Sequence, residues 1–175
     1  CHIKIPSASI SDKKYLDKIS KFNSKKFLAV GGSNIQEISD SLELLNINKN
    51  IILQTGFQNF PTRVEDSNLS QIVLLREKFN LPIAYADHVD AEDLMMRMTI
   101  PAIAYSLGAN YIEKHITLNR SLKGRDFYSS LNPEEFKEFV YHLKSISKSF
   151  GDPLQMGKTK AELMYKKFSK KYAIA

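Results

Sequence analysis

Short apolar runs alternate with segments of helical period along most of the chain. The runs cover 2–6, 27–30, 50–54, 82–86 and 111–117; each is rich in Ile, Leu, Val, Ala or Tyr and is bounded by polar, Gly or Pro positions. Between and after them the pattern predicts helices over 13–22, 35–45, 69–79, 91–107 and 133–150. In the third helix Leu69, Ile72, Leu75 and Phe79 fall on one face. Asp12 precedes the first helix, Ser33 and Asn34 the second, and Ser67 and Asn68 the third, all as candidate caps. Pro101 is expected to kink the fourth helix or divide it in two. The last has Asn132 as its cap, Pro133 at its first position, Glu134 and Glu135 in its first turn and Gly151 as its stop.

Five β-runs, each followed by a helix, begin at 2, 27, 50, 82 and 111. The later starts lie roughly 30 residues apart, the length of a βα unit with a right-handed crossover. The runs are close to continuously apolar, as parallel strands covered by helices are. Two α/β architectures fit: a doubly wound open sheet, or part of a (βα)8 barrel. A whole barrel takes about 250 residues, so five units over 175 residues are too few for one.

Composition narrows the class. Hydrophobic residues make up 43% of the chain and charged residues 25%, with 7 Gly and 6 Pro, which is enough to bury the core of one ordinary domain. The single cysteine, Cys1, excludes an internal disulfide and a cysteine-built zinc site. No run of 18 apolar residues occurs and the first residues lack a signal pattern, so no membrane partner is expected and the expected location is the cytoplasm. A start at Cys1 in place of methionine points to processing or to a piece of a longer protein. The net charge of +6 raises the question of nucleic acid. Most of it sits in the tail, where Lys158, Lys160, Lys166, Lys167, Lys170 and Lys171 face only Asp152 and Glu162. With no nucleic-acid motif beside it, this segment reads as a solvated linker, and no nucleic-acid partner is expected.

In both architectures chemistry belongs at the C-terminal ends of the strands, and those ends are polar here. There is no GxGxxG and no GKS or GKT, which disfavours a nucleotide cofactor. His88 and His115 lie at or just past the fourth and fifth strand ends, one βα unit apart. With neighbouring strands about 4.8 Å apart, the two imidazoles could share one divalent cation and leave positions open for water and substrate. The blander alternative makes His88 a loop-bonded residue and His115 a satisfied strand histidine. Lys4, inside an apolar strand, suits a phosphate or carboxylate if it faces a barrel mouth, or is an edge lysine. Ser7 and Ser9 are either hydroxyl donors to that anion or turn residues. In the loop after the third run Gln58 could hydrogen-bond a ligand and Phe60 stack on it, or Pro61 simply stiffens the loop. Asp126, after Lys123-Gly124-Arg125, could bind sugar hydroxyls or belong to a surface turn. Met95, Met96 and Met98 are expected to pack in the core.

The segments ADHVD at 86–90, LGANYIEKHITLNRSLKGRD at 107–126 and SLNPEEFKEFV at 130–140, with IKIPSAS at 3–9 and FPTRVEDSNL at 60–69, resemble the sialic acid synthase family over nearly the whole chain. That resemblance implies condensation of phosphoenolpyruvate with an N-acetylated aminosugar to a sialic acid-like nonulosonic acid, with Mn2+ or a similar ion (Mg2+, Co2+) as cofactor. It implies a partial (βα)8 TIM barrel holding strands four to eight over 1–150, and a linker over 151–175 towards an absent antifreeze-like domain. By the same resemblance His88 and His115 are the metal ligands and catalytic centre, Lys4 and Ser7 bind phosphoenolpyruvate, and Gln58, Phe60 and Asp126 stand at the family's substrate positions. The full-length protein is implied to be a homodimer, and the 175-residue piece alone to be inactive. Ser9 stands where the family has an acidic residue, and Val30 and Ala86 where it has serines. Those departures suggest a divergent branch with a different acceptor. Two other readings are a non-catalytic sugar-binding barrel remnant and another phosphoenolpyruvate-dependent aldolase.

Overall fold

The computed structural model describes residues 2–46, 50–56 and 59–169. Five strands, β1 (His2–Ile5), β2 (Lys25–Ala29), β3 (Ile51–Thr55), β4 (Ile83–Asp87) and β5 (Tyr111–Lys114), form one sheet in the order β1-β2-β3-β4-β5. Every pairing is parallel. Between and after them run α1 (Lys13–Ser20), α2 (Ile35–Leu44), α3 (Ser70–Phe79), α4 (Met96–Ser106), α5 (Pro133–Ser149) and α6 (Lys160–Phe168). Strand order that follows chain order means each crossover steps the same way, so right-handed connections stack the helices on a single face. That excludes the doubly wound sheet and leaves a barrel wall.

The register shows what each face carries. Ile5 pairs with Leu28, Leu28 with Leu53 and Leu53 with Ile83, so these side chains point to one side. There they join Leu16, Ile38, Leu42, Ile72, Leu75, Ile100 and Ala104 from the helices in the main core cluster. The alternate set, Lys4, Phe27, Ala29, Ile52, Gln54, Ala84, Ala86, Tyr111 and Glu113, points to the other side. A flat sheet would separate β1 from β5 by about 19 Å. Yet Lys4 Nζ on β1 meets Glu113 Oε1 on β5 at 2.5 Å. The sheet therefore curls into a half-barrel, with the crossover helices α1 to α4 outside and the Lys4–Glu113 face within.

Local chemistry sets the helix ends. Asp12 accepts the amide of Tyr15, and Asn34 with Glu37 and Asn132 with Glu135 form capping boxes. The fourth helix starts at Met96, five residues later than its periodicity suggests. Asp90 takes the Glu92 amide, and Asp93 those of Met95 and Met96, which holds the preceding segment as turns. Pro101 does not divide α4, which is a single helix. As the sixth residue of α4 it offers no amide to the Arg97 carbonyl, and the helix continues without that one bond. Met95 is 69% exposed, against the expectation of core packing, while Met96 and Met98 do pack against core clusters. The basic tail, expected as a linker, contains α6, capped by Thr159 and Glu162. No helix among the described residues is long and apolar enough to cross a membrane.

Candidate functional site

His88 follows the last residue of β4 and His115 the last of β5. Ala86 pairs with Glu113, so both histidines, two residues further on, return to the inner face. Their ring centroids lie 5.1 Å apart, tilted by 49°. The Phe60 ring meets both nearly edge-on, 4.9 Å from His88 and 5.6 Å from His115. The expectation that two successive strand ends bring these imidazoles together is met, and the third ring beside them is Phe60.

Two loops, those after β3 and β5, hold this cluster by its backbone. The His88 carbonyl accepts from the Thr62 amide at 2.8 Å and the Ser129 hydroxyl at 2.6 Å. The His115 carbonyl accepts from the Leu131 amide at 2.9 Å. His88 is 3% exposed and its Nδ1 has no hydrogen-bond partner among the described residues. Burial, with the nearby His115 charge, pushes the His88 pKa down to about 4, so the ring stays neutral near pH 7. A buried neutral imidazole with an unpaired nitrogen, beside a second imidazole, is a donor set that fits a divalent cation. Among the described residues no cluster of three or more His, Cys, Asp or Glu side chains suits a metal. A cation on the histidine pair would therefore keep positions for water or substrate.

Lys4 does not touch the histidines; its ammonium pairs with Glu113, whose other oxygen accepts from Gln54 Nε2 at 2.9 Å. Burial alone would raise the Glu113 carboxyl, and the hydrogen bonds from Lys4 and Gln54 outweigh it, holding the group below the ordinary carboxylate range. These three residues come from β1, β3 and β5. Alternate strands supplying one interior layer is the packing rule of barrel walls. They line a cavity of about 610 Å³ shared with Phe27, Tyr111 and Phe136.

Ser7 opens a short 3-10 turn over Ser7–Ser9 just past β1. Asp126 has a left-handed backbone (φ 55°). Its carbonyl accepts from the Ser129 amide and the Ser130 hydroxyl, which joins it to the turn whose Ser129 hydroxyl donates to the His88 carbonyl. Gln58 lies outside the described residues. Sequence reasoning assigned no role to Gln54, Glu113 or Ser129. A signal for the first two existed, a polar residue near the end of an otherwise apolar strand; for Ser129 there was none, because its partner is a backbone carbonyl far along the chain.

On the outer face, Lys114 Nζ pairs with Asp87 Oδ2 at 2.7 Å, both side chains at most 1% exposed. Burial pushes the Asp87 carboxyl up, and the Lys114 ammonium works against it.

Comparison with known proteins bears on the fold and the family. The NeuB family model matches residues 1–155. N,N'-diacetyllegionaminic acid synthase of Campylobacter jejuni is 35% identical over 156 residues, covering 87% of this chain and 45% of that protein. Pseudaminic acid synthase of the same species is 30% identical over 151 residues, covering 85% and 42%. The crystal structure of N-acetylneuraminic acid synthetase from Leptospira borgpetersenii superposes with a TM-score of 0.81 at 27% identity, covering 98% of this chain and 59% of that one. The chain thus spans less than half the length of these two curated relatives.

Proposed function

The chain belongs to the NeuB family, and we propose that it forms the part of a sugar-acid synthase barrel that carries the metal and most of the substrate contacts. In this reading β1 to β5 are strands four to eight of a (βα)8 barrel within residues 1–150, and 151–175 leads out of it. The reaction joins phosphoenolpyruvate to an N-acetylated aminosugar. The C3 carbon of phosphoenolpyruvate bonds to the aldehyde carbon of the open-chain sugar, water adds at C2, and inorganic phosphate leaves, giving a 2-keto-3-deoxy sugar acid.

The observation that carries this reading is the pairing of His88 and His115 on the inner face, with Phe60 across both rings. A divalent ion such as Mn2+ held by the two imidazoles would supply Lewis acidity to the sugar carbonyl. His88, kept neutral by burial, is ready to donate its lone pair without first losing a proton. Lys4 is the cation that would meet the phosphate or carboxylate of phosphoenolpyruvate; its present partner, Glu113, marks where an anion sits on it. Ser7, at the same strand end, adds a hydroxyl donor. Phe60 covers one side of the acceptor pocket with an apolar face, and Asp126 and Gln58 belong to the sugar side.

The test is Mn2+-dependent phosphate release from phosphoenolpyruvate with a panel of N-acetylated aminosugars. It is run on this chain joined to barrel strands one to three of a NeuB relative. Turnover with one acceptor is expected, and loss of at least 100-fold in His88→Ala and in His115→Ala. Full turnover in both variants would sink the metal role.

A further inference from the structure

The last rungs of the β4–β5 ladder hold an arrangement that the proposed reaction leaves unused. Asp87 and Lys114 are register partners, and each is the residue immediately before a histidine. Because side chains alternate, the ion pair projects outward while His88 and His115 project inward. The pair touches no substrate face.

Its contacts wrap the backbone of His88. Asp87 Oδ1 accepts the Val89 amide at 3.1 Å, so the carboxylate bridges from one side of His88 to the other. Lys114 Nζ reaches Asp87 Oδ2 at 2.7 Å and the Val89 carbonyl at 3.4 Å. One ammonium on the residue before His115 thus holds both the residue before His88 and the residue after it. With both side chains at most 1% exposed, water does not compete for these bonds. A desolvated ion pair contributes little net stability over an apolar pair of the same volume, so its distinctive property is fixed geometry.

We infer that Asp87 and Lys114 are positioning residues that set the spacing and orientation of His88 and His115 for a shared cation. The inference rests on the reading of those histidines as metal ligands. The pair acts as a clamp behind the site: it fixes the two peptide segments from which the imidazoles hang, as outer hydrogen bonds fix metal ligands in general.

Mn2+ titration of the 175-residue chain, followed by the electron paramagnetic resonance of free Mn2+, tests this beside thermal melting. Asp87→Leu with Lys114→Met replaces the ion pair by apolar groups of similar size. That double variant is expected to melt within about 3 °C of the parent and to bind Mn2+ at least about tenfold more weakly. Lys114→Arg, which keeps a cation and its donors, is expected to recover most of the affinity. If the double variant binds within twofold of the parent, the inference is wrong. Should the double variant fail to fold, Lys114→Gln decides: a still-folded donor one atom shorter should bind at least threefold more weakly, and unchanged affinity overturns the clamp. His88→Ala and His115→Ala separate the two claims. If both bind Mn2+ like the parent, the histidine reading itself falls and takes the clamp with it. If both lose binding while the double variant keeps it, only the clamp fails.

Discussion

Gly56 shows how closely single atoms are set around the histidines. It follows β3 with φ at 126°, a region that L side chains rarely adopt, and a Cβ there would lie 2.2 Å from the Ala86 carbonyl oxygen. Gly56→Ala must therefore push the end of β3 away from β4, two residues before His88. A loss of about 2 kcal/mol of stability is expected in urea unfolding, together with weaker Mn2+ binding. Phe60 makes a second point at this scale. Its phenyl ring meets both imidazoles nearly edge-on. Phe60→Ala is expected to raise the acceptor KM about tenfold with a smaller change in kcat, measured on the barrel-completed chain. The histidines were legible in sequence because strand alternation and one-unit spacing place them without knowledge of the loops. Glu113 and Lys114 were visible as polar residues in a strand, but the sequence does not say that one faces inward to Lys4 and the other outward to Asp87. That follows from the register alone.

At the scale of elements, the first turn of α4 and the loop after β5 are tied to the start of α5 by Glu135. Its carboxylate accepts from Arg97 and Arg120 and from the Asn132 amide of its own capping box. The hydrogen bond from Arg120 foremost, with those from Asn132 and Arg97, pulls the Glu135 pKa down to about 2 against the opposing effect of burial. A carboxylate whose folded pKa lies below its unfolded value stabilises the fold above the unfolded pKa, and that stability fades as pH falls through the folded one. Glu135→Gln should therefore cost on the order of 3 kcal/mol at pH 7, and the gap from the parent should close as pH drops from about 4.5 to about 2. Chemical denaturation across that range measures it. Periodicity gave each strand to within a few residues and four helices closely. It overextended α4, because Asp90 and Asp93 capture amides that the apolar pattern would assign to a helix. It also missed α6 in a segment whose lysines hide a capping box, Thr159 with Glu162.

For the whole molecule, strand order and the Lys4–Glu113 contact are the decisive facts. Sequence left open whether the five βα units wind both ways or one way, since apolar runs look alike in both. Sequential order puts the crossover helices α1 to α4 on one face, and the Lys4–Glu113 contact shows that the wall curves with its other face inward. The edges β1 and β5 flank the cavity lined by Lys4, Glu113 and Phe136. We propose that three further strands complete the wall at those edges in the whole enzyme. On that account the 175-residue chain alone turns over no phosphoenolpyruvate, and joining the three strands restores activity. Phosphate release from the two forms under the same conditions checks this.

The most direct measurement follows the carbon. The barrel-completed chain is incubated with Mn2+, an N-acetylated aminosugar and phosphoenolpyruvate carrying 13C at C3, and the products are read by 13C NMR and mass spectrometry. The account predicts a 2-keto-3-deoxy sugar acid with the label at its C3, one phosphate released for each new carbon–carbon bond, and neither in the His88→Ala or His115→Ala chain. Label that stays in phosphoenolpyruvate, or emerges only as free pyruvate, would contradict it.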